Sequence, residues 1–231
     1  MNKNNTFFYN FAESTLKYSN MKKIIIFTVL CLFAVSTFAQ NPALNVPKFK
    51  GIEISGTIDQ FGSKLANQGF TFLTKDNNSA IYQGRFAGMN DCLIYLIPIE
   101  NSKDIASVSV LIGLTFSDYG DIYCYETWEK LLSDYESLKD LLTEKYGAPT
   151  EQNAGFAQDA ITSTSYLKLH AVKEGQCEYY AQWGSTDVDK MVVKLSITGG
   201  KNMGQEIAVI TLRYANVEKS NTARKEILDD L

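Results

Sequence analysis

Thr127 to Gly147 reads TWEKLLSDYESLKDLLTEKYG. Trp128, Leu131, Leu132, Tyr135, Leu138, Leu141, Leu142 and Tyr146 recur at steps of three and four, and every position between them is polar. That period predicts an amphipathic helix with one apolar stripe and a charged face opposite. Thr127 is suited to the N-cap, and Glu126 and Glu129 lie near the positive end of the helix dipole. Lys145 stands in the last turn, Gly147 fits a left-handed C-terminal position, and Pro149 prevents continuation. A stripe this wide needs a broad apolar partner. The flanking segments read mostly as strands, so the expectation is a helix laid across a sheet.

Upstream of this helix, Thr57 and Gln60 form a capping box for a first, shorter helix with Ile58, Phe61 and Leu65 on one side. Before it, Phe49 to Ser55 alternates as a short strand would. After it, strand-like runs at Phe70–Thr74, Ala80–Phe86, Cys92–Ile99 and Ser107–Phe116 are separated by turn residues. Pro98 cannot donate to a ladder, which puts it at a strand end or a bulge. Downstream of the long helix, Thr150 to Thr164 reads as loop with a helical turn at Ala157 to Ile161. Strand patterns follow at Ser165–Val172, Cys177–Trp183, Lys190–Thr198 and Ile207–Tyr214. A short helix capped by Ser220 or Asn221 closes the chain.

The two halves echo each other, and the expected fold is α+β. It comprises two tandem repeats, residues 40–122 and 123–231. Each is a helix followed by a four-stranded antiparallel sheet, with the helices packed on one sheet face and the other face free.

At the start of the chain, Met21-Lys22-Lys23 opens an apolar run from Ile24 to Ala34 that ends in Ser36-Thr37-Phe38-Ala39. A basic start, a short apolar core and small residues at 37 and 39 predict a secretory signal cleaved before Gln40. Residues 1–39 are then dispensable to the fold, and the protein is periplasmic or secreted. Leu30 before Cys31, where a lipid-attachment motif needs a small residue, argues against a lipid anchor. The leader carries four lysines against one glutamate, so its removal takes the net charge from −4 to −7. An acidic chain without a basic cluster is a poor nucleic-acid or anionic-lipid binder. The apolar run is too short for a membrane span.

The chemistry-bearing residues are few. His170 is the single histidine, read here on a strand with Tyr166 and Lys168 on the same face. It leaves a small periplasmic hydrolase as the alternative function, although no G-x-S-x-G accompanies it. Cys92, Cys124 and Cys177 lack any C-x-x-C pair, and with one histidine they predict no metal site and no cofactor. Gly51 to Thr57 lacks the lysine of a phosphate loop. Asp187 and Asp189 form an acidic turn without the remainder of a calcium loop. No catalytic residue is expected.

Tyr179, Tyr180 and Trp183 are the most informative group. Alternation puts Tyr179 and Trp183 on one face and Tyr180 and Gln182 on the other. One pair belongs to the core, and the other joins Tyr166 and Arg213 on an open face. The candidate binding residues are Tyr166, Tyr180, Gln182, Trp183 and Arg213, since aromatics with an arginine are what interfaces favour.

The runs FKGIEISGTIDQFGSKLANQGF, from Phe49, and WEKLLSDYESLKDLLTEKYGAPT, from Trp128, resemble exported proteins of Bacteroides and Prevotella type bacteria that have no assigned function. The tandem helix-plus-sheet layout is also similar to the β-lactamase inhibitor protein fold, and more distantly to small envelope proteins of the BamE kind. The resemblance implies a non-enzymatic module that binds a protein or envelope component through a sheet face or loops. A role in envelope assembly is a further alternative.

Overall fold

The computed structural model describes residues 42–75, 79–99, 102–116, 122–202 and 205–221. These belong to one compact unit, Asn41–Leu231. The expected leader with Cys31, and most of the expected C-terminal helix, lie outside the described residues.

A turn of 3-10 helix at Pro42–Leu44 leads into a tight hairpin of β1 (Lys48–Phe49) and β2 (Ile52–Glu53). Lys50 and Gly51 turn between them with φ of 48° and 81°. The single strand expected at Phe49–Ser55 is therefore two short ones, because Gly51 permits the reversal. Helix α1 (Ile58–Ala66) follows with the full capping box: the Thr57 side chain accepts from Gln60 N, and the Gln60 side chain accepts from Thr57 N.

Strands β3 (Thr71–Lys75), β4 (Ala80–Phe86), β5 (Met89–Pro98) and β6 (Ile105–Ile112) then run as an antiparallel meander. The register shifts between Ile97 and Pro98, so Pro98 sits at a bulge at the end of its strand, as its missing N–H requires. A small hairpin of β7 (Thr115–Phe116) and β8 (Ile122–Tyr123) precedes α2 (Trp128–Tyr146). The Thr127 side chain caps α2 by accepting from Lys130 N, and Gly147, at φ 80°, ends it.

The second half continues with β9 (Glu151–Asn153), α3 (Ser165–Lys173), β10 (Tyr180–Trp183), β11 (Met191–Asn202) and β12 (Gln205–Asn216). Two expectations are corrected here. Glu151–Asn153 is a strand and not loop. Ser165–Lys173 is a helix and not a strand, capped by the Thr164 side chain accepting from Leu167 N. Its inward residues are Leu169, Ala171 and Val172. The final helix begins at Val217, earlier than expected, and Asn216 caps it by accepting from Lys219 N.

The fold is α+β, but the strands of the two halves make one sheet and not two. Its order is β3-β4-β5-β6-β12-β11-β10-β9, antiparallel throughout, with the last strand of each meander paired to the other. Tyr82, Ile94, Val110, Leu212, Leu195 and Ala181 align across six neighbouring strands. All six belong to one apolar core that also contains Phe61 and Leu65 of α1, Trp128, Leu131, Tyr135, Leu138, Leu142 and Tyr146 of α2, and Leu169 and Val172 of α3. All three helices therefore cover the same side of the sheet. The stripe on α2 is narrower than its sequence suggests: Leu132 is only partly buried and Leu141 is 54% exposed. No helix among the described residues is long and apolar enough to cross a membrane.

Candidate functional site on the uncovered sheet face

Alternation along each strand sends every second side chain away from the helices. The register joins those side chains into rows. One row runs Glu151, Gln182, Lys194, Arg213, Ser109, Tyr95, Ile81, Thr74 across all eight strands. The next runs Asn153, Tyr180, Ser196, Thr211, Leu111, Leu93, Gln83, Thr71. In these two rows the face is polar on β9 to β12, carries its apolar side chains on β4, β5 and β6, and is polar again at β3.

Part of the apolar area is closed. Leu93, Leu114 and Val209 form a small buried cluster, flanked by Ile81, Tyr95, Leu111, Cys124 and Ile207. Leu114 and Cys124, at the two ends of the β7–β8 hairpin, supply part of this cover. Gly113 allows the turn at the end of β6. It has φ 80°, and a Cβ there would lie 2.1 Å from the Tyr125 ring.

The polar half stays accessible. Tyr180 donates its hydroxyl to Glu151 Oε1 at 2.6 Å, and Lys194 Nζ stands 4.5 Å from the centre of the Tyr180 ring. The Glu151 carboxylate, through that hydrogen bond, pushes the Tyr180 hydroxyl above its usual pKa. A carboxylate, a ring and an ammonium group therefore order one another at β9, β10 and β11. Gln182 donates to the carbonyl of Gly184 at 3.3 Å. Thr198 and Thr211 share a hydroxyl contact of 2.7 Å. Beside them, the exposed Arg213 is in no ion pair among the described residues.

Three of the five candidate residues come together here: Tyr180, Gln182 and Arg213. The other two do not, and both are corrections. Trp183 is 0% exposed on the helix side, where its indole N–H donates to the Gly147 carbonyl at 2.9 Å and ties β10 to the end of α2. Tyr166 is 77% exposed but sits on α3, stacked on His170 one turn later at 6.5 Å between ring centres. Its expected place on the face failed with the strand that carried it. Tyr179, the partner of Trp183 in the alternation, packs edge-on against Trp128 and Tyr135. Glu151 and Lys194 were missing from the sequence reading. Lys194 was legible, two positions before Ser196 on a strand with Leu195 and Ile197 facing inward. Glu151 was not, because its three-residue strand carries no period of its own.

Cys92, Cys124 and Cys177 are free thiols. Burial lifts Cys92 and Cys177 to about 11. His170 makes a ring contact with Tyr166, and no hydroxyl or thiol among the described residues is hydrogen-bonded to its ring. Among the described residues His170, Glu174 and Glu206 form a group of possible metal ligands, with their ligand atoms all within 4.8 Å of one another. No protein-family model matches the chain, and no curated protein and no solved structure matches it either.

Proposed function

We propose that this is an exported, non-enzymatic binding module that grips a protein or envelope component with the polar half of its uncovered sheet face. The observation that carries the reading is the strip Glu151, Tyr180, Gln182, Lys194 and Arg213. It is held in register by four strands and includes a ring, an ammonium group and a guanidinium group that is in no ion pair among the described residues. Arginine and tyrosine on a rigid surface are side chains that anchor interfaces, since they bring contact area and directed hydrogen bonds. A partner that meets Arg213 with a carboxylate gains charge-assisted hydrogen bonds.

The order of the strands supports a further reading, that the chain is built of two like halves. In each, a helix precedes a four-stranded meander, α1 before β3–β6 and α2 before β9–β12. α3 is then an insertion in the second half. That layout is the one for which the sequence resembles β-lactamase inhibitor proteins, and the likeness supports binding through a sheet face by analogy of architecture alone. The hydrolase alternative requires His170 to work with a nucleophile, and no observation favours it.

The test is capture of partners from an envelope extract of the producing cell by wild-type protein, Arg213→Glu and Tyr180→Ala. All three are expected to fold alike, because both side chains lie on the surface layer. Wild type is expected to retain a defined component that Arg213→Glu loses by tenfold or more, about 1.4 kcal/mol. Equal retention by all three contradicts the reading.

A further inference from the structure

His170 and Glu174 are one helical turn apart at the end of α3, where Glu174 N donates to the His170 carbonyl at 2.9 Å. They therefore project from one side of the helix. Glu206, near the start of β12, is brought to the same place by an unusually close approach of helix and sheet. A Cβ at Gly199 would lie 1.8 Å from the Val172 carbonyl oxygen, so only glycine lets the last turn of α3 rest directly on β11. Gly199 pairs with Ala208, which is buried in the core on the helix side, and Glu206, two residues before Ala208, projects from the same side of the strand. The backbone thus fixes the approach of the two elements, and the three side chains meet at their junction.

We propose that His170, Glu174 and Glu206 bind a divalent first-row transition metal, with zinc as the test ion. One imidazole nitrogen and two carboxylates from two elements form a donor set that suits zinc and leaves positions for water. Two such carboxylates beside one imidazole repel each other, and a dication turns that repulsion into attraction. Ligand atoms on a tetrahedral zinc ion lie about 3.3–3.6 Å apart, given bond lengths of about 2.0–2.2 Å. The present spacing, within 4.8 Å, closes to that range by rotation of exposed side chains. The role follows from the position: the metal pins the end of α3 to the β11–β12 hairpin, on the opposite side of the sheet from the proposed binding face.

The experiment is calorimetric titration of untagged, chelator-treated full-length protein with zinc chloride, with thermal unfolding followed in parallel. Wild type is expected to take one equivalent and to melt higher with zinc present. His170→Ala and Glu206→Gln are both exposed changes and are expected to keep the melting temperature of metal-free wild type. Each is expected to weaken zinc at least about tenfold, a loss seen even for partners outside the coordination sphere. Cys124, whose thiol lies 3.9 Å from the Glu206 carbonyl oxygen, serves as the control, and Cys124→Ser is expected to bind as wild type does. The proposal is overturned if wild type takes up no zinc, if either ligand variant binds as tightly as wild type, or if Cys124→Ser alone abolishes uptake.

Discussion

Tyr180 and Trp183 stand three positions apart on one strand and face opposite ways. The indole is sealed beneath α2 and bonded to Gly147, while the phenol lies on the far face between a carboxylate and an ammonium group. Alternation alone predicted that these residues part. Which of them turns inward was not written locally, because both are large aromatics; it is set by the long helix and its stripe of partners. The buried Cys92 and half-buried Cys177 thiols belong to the same scale. The thiolate is the reactive form, and burial raises Cys92 and Cys177 from 9.0 to about 11. At pH 8 each is expected to react with a disulfide reagent about a hundredfold more slowly than an ordinary thiol. Their folded values lie above the unfolded ones, so their contribution to stability is complete below pH 9 and is lost as the pH climbs toward 11. The urea midpoint is therefore expected to fall between pH 8 and pH 10.5, and a constant midpoint would contradict the assignment.

Among the elements, α2 was legible from end to end, because its period, cap and terminating glycine all agree. The six residues that it buries follow steps of three and four, and Leu141 falls just outside them. Leu138→Ala is expected to cost about 2–5 kcal/mol of stability, and Leu141→Ala to stay within about 0.5 kcal/mol. Denaturant unfolding of the two variants checks this, and equal losses would mean that the helix is rotated on the sheet. The element that misled is α3. In SYLKLHAVK, Tyr166, Lys168 and His170 alternate with Leu167, Leu169 and Ala171, which is the pattern of a half-buried strand. Nine residues are too few for a helical period to outweigh it, and what makes them helical is the Thr164 cap and the seat that Gly199 provides. The consequence is local: read as a strand, the segment puts Tyr166 on the uncovered sheet face, whereas as a helix it brings His170 beside Glu174 and Glu206.

At the scale of the whole molecule, the decisive event is the pairing of β6 with β12, from Ile112 opposite Ile210 to Ser107 opposite Ala215. It fuses two meanders into one surface and one core. No local signal announced it, because both strands are apolar on the helix side and either would serve equally well beside a helix or another sheet. Fusion also makes the far face long enough to present rows of eight side chains, polar from β9 to β12 and apolar chiefly on β4 to β6. On the proposed function, the polar part formed by β9 to β12 is what meets the partner. A photo-reactive amino acid placed at Lys194 on this face, and separately at Leu141 on the outer side of α2, measures this directly in the producing cell. The expected result is a discrete cross-linked product from position 194 and none from position 141; cross-linking that is equal at both positions, or that occurs only at 141, would contradict the claim.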